Sequence, residues 1–177
     1  MLIRHALPAD AEAFAALSER LWRSTYTGLI PTQDLEAHLA EAFGTAQQAA
    51  ELADGACHTL LLEGGGTLLG YALLRAHGPV PGTLPPAFTR PLEVVRFYLD
   101  PTVHGTGAGR ELMEAALAEA AAAGHDGVWL QAWEQNPRAL RFYAKLGFTP
   151  AGSTTFTVGS QLYHDLVLVH GLELPFD

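Results

Sequence analysis

The chain has 177 residues, of which 49% are hydrophobic and 16% are charged, a balance typical of a folded globular protein rather than a disordered one. This length suits a single domain, expected to span residues 1–177. Acidic residues outnumber basic ones 19 to 10, which gives a formal net charge of −9. Because phosphate backbones are bound by clustered Lys and Arg, this balance argues against a nucleic-acid partner and is compatible with a cationic substrate.

Cysteine, histidine and hydropathy patterns exclude several other classes. The single cysteine, Cys57, cannot form an internal disulfide, which favours a reducing cytoplasm, and its apolar surroundings predict a buried strand rather than a nucleophile. The sequence has no signal-peptide core and no apolar stretch of membrane-spanning length, so a cytoplasmic protein without a membrane partner is expected. No two of the eight histidines lie three or four positions apart, so no metal site is expected.

The first half of the sequence predicts helices and then a hairpin. In chain order the expected elements are a strand (Leu2–Ala6), a helix opening at Pro8 and running through Trp22, a break at Thr25–Pro31, a helix from Thr32 through Leu39, a short helix (Ala46–Leu52), and two strands (Cys57–Glu63 and Thr67–Arg75). Three consecutive glycines between the last two strands indicate a hairpin turn.

The second half alternates strands with helices. The segment His77–Pro91 carries five prolines and two glycines, which predicts a long loop and a candidate lining for a substrate entrance. The expected elements after it are a strand (Leu92–Leu99), a helix (Gly107–Ala123), a strand (Val128–Ala132), a helix (Pro137–Leu146) and two closing strands (Ser153–Val158 and Leu162–Val169). This order indicates a mixed α/β fold whose sheet is partly antiparallel.

The segment between the strand that ends at Leu99 and the next helix is rich in glycine. Gly105, Gly107 and Gly109 alternate there, and glycine allows backbone to approach a ligand closely. The free N–H groups of the following helix would bind an anion, for which a diphosphate is the natural candidate. A dinucleotide-binding oxidoreductase is disfavoured because Arg110 stands where its pattern needs a third glycine, and the P-loop pattern is also missing.

This segment resembles the coenzyme A loop of the GNAT family of N-acetyltransferases, whose core pattern is Gln/Arg-x-x-Gly-x-Gly/Ala. Here the pattern runs from His104 to Gly109, and it includes Thr106 and Ala108. His104 departs from the usual Gln or Arg, a change that alters the side chain and leaves the backbone donors intact.

A second segment strengthens the resemblance. Asn136, Ala139, Tyr143, Gly147 and Phe148 match the family's C-terminal pattern Asn-x-x-Ala-x-x-x-Tyr-x-x-x-Gly-Phe. Seven residues at about 100° each place the Asn and the Tyr on one face of a helix, with the small Ala between them. A core role is the other interpretation of the Tyr, and the presence of both patterns in order favours a functional one.

The resemblance, which covers nearly the whole chain, implies an α/β acyl-CoA N-acyltransferase fold. We expect a mixed, mostly antiparallel sheet of six or seven strands, flanked by helices and splayed between the fourth and fifth strands. The implied co-substrate is acetyl-CoA, with its pantetheine between Leu92–Leu99 and Val128–Ala132. The implied cofactor-binding residues are Phe97, Tyr98, Leu99, His104, Gly105, Thr106, Gly107, Ala108, Gly109, Arg110, Asn136 and Tyr143.

The resemblance also implies catalytic roles. Glu93 lies eleven residues before His104, where several family members carry a general base, although an exposed acid at a strand end is the other interpretation. Tyr143 is implied as the acid that protonates the departing thiolate. Asn136 would hold the cofactor or cap its own helix.

The function implied is transfer of an acetyl group to a primary amine of a small molecule, by direct attack without an acyl-enzyme. Within the family the sequence resembles most a bacterial branch that acetylates polyamines, and a homodimer is compatible with this resemblance. Two alternatives remain open: a non-catalytic acyl-CoA-binding or regulatory module, and acetylation of a protein N-terminus or lysine.

Overall fold

A computed structural model of the protein describes residues 1–78, 81, 83–159 and 161–172. The strands in this part of the chain are β1 (Leu2–His5), β2 (Cys57–Gly64), β3 (Thr67–Arg75), β4 (Pro91–Leu99), β5 (Gly127–Trp133), β6 (Thr149–Val158) and β7 (Gln161–Gly171). The α-helices are α1 (Ala11–Tyr26), α2 (Thr32–Ala42), α3 (Thr45–Ala53), α4 (Ala108–Ala122) and α5 (Pro137–Lys145). Short 3₁₀ turns at Pro8–Asp10 and Pro101–Val103 precede α1 and α4. None of the described helices is both long and apolar enough to cross a bilayer.

The strands form one seven-stranded sheet in the order β1-β2-β3-β4-β5-β7-β6. Every neighbouring pair is antiparallel except the central pair, β4 and β5, which is parallel. The sheet therefore joins an antiparallel meander to a C-terminal hairpin through one parallel contact. The predicted mixed α/β fold is confirmed.

Both faces of the sheet are covered, and the period of two along a strand decides which side chain meets which helix. On β2, Leu61 packs with Phe14 of α1. Its neighbours Leu60 and Leu62 lie in the cluster that contains Leu112 of α4. Because helices lie on both faces, these central strands are continuous apolar runs instead of alternating ones.

The central parallel pair is incomplete. Its register runs from Pro91 opposite Gly127 only as far as Val94 opposite Leu130, although β4 continues to Leu99. Beyond this point the strands diverge toward their carboxyl ends, which confirms the predicted splay between the fourth and fifth strands. A register shift next to Val94 on the β3 side adds to the change in direction of β4.

The structure corrects several local expectations. The first helix continues through Tyr26 instead of ending near Trp22, and β6 begins at Thr149, four residues earlier than expected, across a register shift. Cys57 lies at the start of β2 as expected, but it is half-buried rather than buried. The described residues of the loop after β3 do not line a substrate entrance; Phe88 packs on the cluster around Trp129 instead.

Candidate active site

A cavity of about 660 Å³ lies between the diverging ends of β4 and β5 and extends toward α1 and α2. Most of the site residues expected from the sequence line it: Glu93, Phe97, Tyr98, Leu99, His104, Gly105, Gly107, Gly109, Arg110, Asn136 and Tyr143. Thr106 and Ala108 do not line it. The two sequence patterns, about thirty residues apart, therefore meet at one cavity.

The turn after β4 is held by Asp100. Its carboxylate accepts hydrogen bonds from the backbone N–H of Thr102 at 3.0 Å and from the Thr102 hydroxyl at 2.6 Å, and it forms an ion pair with Arg20 of α1. These contacts lower the pKa of Asp100 to about 2, with the Thr102 hydroxyl as the largest cause. The carboxylate thus fixes the path by which the chain leaves β4 and enters the glycine-rich segment.

The glycines of this segment leave backbone donors facing the cavity. Gly105 and Gly107 have φ values of +79° and +96°, a region that other residues rarely adopt, and a Cβ at either position would meet nothing within 4 Å. Among the described residues, no acceptor pairs with the N–H groups of Gly105, Gly107, Gly109 or Arg110. Unpaired donors at the start of a 15-residue helix are an arrangement that suits an anion.

Thr106, Ala108 and Gly109 support this helix start through local hydrogen bonds and close packing. The Thr106 hydroxyl donates to the carbonyl of Val103 at 2.8 Å and accepts from the Ala108 N–H at 3.4 Å. Ala108 is fully buried, and a Cβ on Gly109 would lie 3.3 Å from both Leu99 and Phe142. Small residues are needed here because the helix start packs closely against β4 and α5.

His104 contacts a cation from the second sequence pattern. Nη1 of Arg138 donates to Nδ1 of His104 at 2.9 Å, and both side chains line the cavity. Burial, followed by the charge of Arg138, lowers the pKa of His104, which favours the neutral imidazole that accepts this hydrogen bond. Arg138 and Arg110 thereby bring two positive charges to the glycine-rich turn of a protein whose net charge is −9.

Tyr143 is the buried residue of α5, with 8% of its surface exposed. Its ring packs edge-on against Phe97, Phe142 and Phe148 at centroid distances of 6.3, 5.3 and 5.7 Å. The hydroxyl makes no hydrogen bond to any described residue, and burial raises its pKa above the ordinary value. Packing thus holds this phenol in its protonated form beside the cavity.

Glu93 lines the cavity at the point where β4 still pairs with β5. It is 7% exposed, so the interpretation as an exposed strand-end acid is wrong. Its Oε2 accepts from Nη2 and Nε of Arg75 at 2.6 and 3.0 Å. Burial raises the pKa of Glu93 more than this ion pair lowers it, so the carboxylate is a stronger base than an exposed one.

The remaining expected residues bound the cavity on the β4 and α5 sides. Phe97 stacks on Phe142 at 5.6 Å, and the Tyr98 hydroxyl lies 3.4 Å from the hydroxyl of Tyr26. Residues 96–99 pair with β3 but not with β5, so the backbone of this segment has no strand partner on the β5 side. The Asn136 side chain accepts from the Ala139 N–H at 3.1 Å, which makes it the cap of α5.

Sequence reasoning missed the half of the cavity that lies between α1, α2 and the β6–β7 hairpin. Most of these residues are aromatic and one is acidic: Trp22, Tyr26, His38, Phe43, Trp133, Phe156, Tyr163 and Asp165. They come from distant parts of the chain, and no local spacing connects them. The density of aromatic residues in α1 was the one available signal, and it is equally typical of a core.

Comparison with known proteins identifies this fold and cavity. Residues 15–148 match the model of the Acetyltransferase (GNAT) family. An uncharacterised N-acetyltransferase of Mycobacterium tuberculosis is 33% identical over 163 residues, which cover 92% of this chain and 98% of that protein. The protein is an acyltransferase, and it belongs to the Acetyltransferase (GNAT) family.

Solved structures agree with the fold. The PaiA N-acetyltransferase of Thermoplasma acidophilum, in complex with coenzyme A, superposes with a TM-score of 0.76 at 21% identity, covering 96% of this chain and 98% of that one. A ribosomal-protein-alanine N-acetyltransferase of Brucella melitensis gives a TM-score of 0.68 at 21% identity, covering 97% and 100%. At these identities the likeness concerns the fold.

Proposed function

We propose that the protein transfers the acetyl group of acetyl-CoA to a primary amine of a small molecule, by direct attack in a ternary complex. One observation carries this proposal. A turn with unpaired backbone donors, a free strand edge and a buried phenol border a single cavity. The similar structure of the Thermoplasma acidophilum enzyme with coenzyme A supports the choice of cofactor.

The residues present fit acetyl-CoA. The N–H groups of Gly105, Gly107, Gly109 and Arg110 would hold its diphosphate, with the Arg138 guanidinium nearby. The unpaired backbone of Phe97–Leu99 would bind the pantetheine amides in the manner of an added strand, and one N–H there would stabilise the developing oxyanion. Bound acetyl-CoA supplies a thioester as the acyl donor.

Glu93 is the proposed base. An alkylammonium, whose ordinary pKa is about 10, cannot attack until it loses a proton. A carboxylate whose pKa is raised by burial removes that proton more readily, directly or through one water, than an exposed carboxylate would. The two hydrogen bonds from Arg75 hold its Oε2 in a fixed orientation.

Tyr143 is the proposed acid. Its hydroxyl is free of partners among the described residues, and like an ordinary phenol it is protonated at neutral pH. Burial raises its pKa further. As the carbon–nitrogen bond forms and the carbon–sulfur bond breaks, this hydroxyl would donate its proton to the departing thiolate. Cys57 does not line the cavity, and its pKa is raised to about 11, chiefly by burial, so it is no candidate for an acyl-enzyme.

Two alternatives are distinguished by experiment. A non-catalytic module would bind acetyl-CoA without turnover, and an enzyme that acts on a protein N-terminus or lysine would need a peptide acceptor. The Brucella melitensis enzyme shares the fold and carries a protein substrate in its name, so fold alone does not select the acceptor. The polyamine branch and the homodimer remain predictions that rest on sequence resemblance.

The test is an assay of CoA release with acetyl-CoA and a panel of small amines, with the products identified by mass spectrometry. We expect one N-acetylated amine for each CoA released. Stabilisation by acetyl-CoA in a thermal melt, without amine-dependent CoA release, would favour the non-catalytic module. Release that requires a peptide and fails with every small amine would favour a protein acceptor.

A further inference from the structure

The half of the cavity between α1, α2 and the β6–β7 hairpin is an aromatic enclosure. Trp22 stacks on His38 at 4.4 Å and contacts Tyr26 at 4.5 Å. Further aromatic side chains lie next to these. The ring of Trp133 on β5 lies 6.3 Å from the ring of Tyr26 and 6.0 Å from that of Tyr163, measured between centroids. Phe43 and Phe156 each lie 5.8 Å from His38 with their rings edge-on. We use the name aromatic enclosure for these seven residues.

One carboxylate shares this space. Asp165 of β7 lies opposite Trp133 of β5 in the sheet register, and it lines the cavity. No described residue donates a hydrogen bond to it, and the nearest charged groups that act on it are Glu134 and His164. Burial is the main cause that raises the pKa of Asp165, as expected for a carboxylate that forms no ion pair.

Apart from Arg138, which contacts His104 at the glycine-rich turn, the other Arg and Glu side chains of the cavity are already paired. Glu93 binds Arg75, and Arg110 binds Glu114 at 3.1 Å. Arg96 forms a double ion pair with Glu51 at 2.5 and 2.9 Å and lies over the ring of Phe43. Among the described lining residues, Asp165 is therefore the acid that forms no ion pair, so the enclosure has the charge to receive one cation.

We propose that the acceptor is an amine that carries one positive charge, on its ammonium group, and that also has a flat aromatic ring. Its ring would stack within the aromatic enclosure, and its ammonium would pair with Asp165 as the amine binds. A polyamine would bring two or more further ammonium groups into a space that offers no second unpaired carboxylate among the described residues. This inference rests on the proposed acetyl transfer and specifies its acceptor.

The first test compares four acceptors at saturating acetyl-CoA: 2-phenylethylamine, n-hexylamine, spermidine and phenylalanine. We expect kcat/KM for 2-phenylethylamine to exceed the other three by about tenfold, because stacking on aromatic rings adds to apolar burial. Phenylalanine has the same ring, and its carboxylate would be repelled by Asp165. Equal or faster turnover of spermidine or n-hexylamine would overturn the aromatic acceptor and leave acetyl transfer intact.

The second test uses variants. Asp165→Asn should raise KM for 2-phenylethylamine about tenfold or more, because a charge-assisted contact is lost, with the acetyl-CoA affinity within about twofold. Glu12→Gln is the matched control: it removes an exposed carboxyl of α1 that does not line the cavity. Phe156 is 41% exposed, so Phe156→Ala should reduce the preference for the aromatic amine about threefold or more while leaving the fold intact.

A thermal melt of the CoA-loaded protein tests binding of the amine separately from its acetylation. 2-Phenylethylamine should raise Tm in the wild type and in Glu12→Gln, and not in Asp165→Asn. An Asp165-dependent shift without CoA release would keep the ligand class and overturn acetyl transfer. An equal shift in Asp165→Asn and the wild type would overturn the role of Asp165, and no shift together with no turnover would overturn the aromatic acceptor.

Discussion

Glu93 and Arg75 form a close ion pair across β4 and β3, yet the pKa of Glu93 remains above its ordinary value. Burial is the larger effect, because Glu93 is 7% exposed and loses most of the water that would stabilise its charge. The guanidinium acts in the opposite direction and limits the rise. The pair therefore sets the pH at which the proposed base becomes active.

This balance predicts the pH profile of kcat. A base must be deprotonated, so kcat should rise with pH along an acid limb that lies above the ordinary Glu range of about 4.3. Arg75→Gln removes the effect that lowers the pKa of Glu93, and the limb should move to higher pH. Arg90→Gln, which removes an exposed guanidinium outside the cavity, should leave the limb in place.

Glu93→Gln should remove this limb. The rate of this variant should be reduced most at neutral pH and should recover partly as the pH approaches the pKa of the amine, about 10. A profile like that of the wild type in Glu93→Gln, with normal folding, would reduce Glu93 to a structural partner of Arg75.

Gly107 is predicted to be needed for cofactor binding. Gly107→Val would place a branched side chain in the open space where we propose that the diphosphate lies, and acetyl-CoA binding should be lost in a titration calorimetry experiment. Gly65→Val is the matched control, because Gly65 also has a positive φ, of +58°, and free space around it but lies in the β2–β3 turn. Equal affinities in the two variants would show that the anion site is elsewhere.

Arg138 is predicted to contribute charge to the same site. Arg138→Ala should weaken acetyl-CoA binding about tenfold or more, because a charge-assisted contact to a phosphate is lost. Arg141→Ala, on the same helix but outside the cavity, should change the affinity less than about twofold. If both variants bind as the wild type does, the contact between Arg138 and His104 is structural only.

Asp100 is predicted to make the stability of the protein depend on pH. Its folded pKa of about 2 lies below the ordinary 3.8, so its contribution is present above pH 4 and is lost as pH falls toward 2. The difference corresponds to about 2 kcal/mol. Asp100→Asn should lose that part of the pH dependence in urea unfolding between pH 5 and 2.5. An unchanged dependence would mean that the carboxylate contributes little to the turn.

The sequence predicted the parts of the site that arise from local geometry. Alternating glycines before a helix require a turn with free donors, and Asn136 and Tyr143 share a helix face by their spacing alone, so both patterns could be interpreted before the fold was known. The pairing of Glu93 with Arg75 could not be predicted, because the two residues are 18 positions apart and meet only through the register of β3 and β4. The aromatic enclosure and Asp165 were missed for the same reason.

Burial also could not be predicted from the pattern of α5. The spacing of Phe142 and Leu146, four residues apart, favours their side of the helix as the core-facing one. The buried residue is Tyr143, because α5 packs against the diverged end of β4 at Phe97. A phenol at this position is thus both a core residue and a wall of the cavity. The two interpretations of Tyr143 weighed from the sequence are compatible in the fold.

The effect of Tyr143→Phe on kcat tests the central claim most directly. This change removes only the hydroxyl, so the packing of the ring against Phe97 and Phe148 should persist, and the affinity for acetyl-CoA should stay within about twofold. Loss of a general acid should lower kcat by about 10²–10⁴-fold, since that proton transfer matters only in the transition state. If Tyr143→Phe turns over the amine at the wild-type rate, the proposed acid, and with it this account of catalysis in the cavity, is wrong.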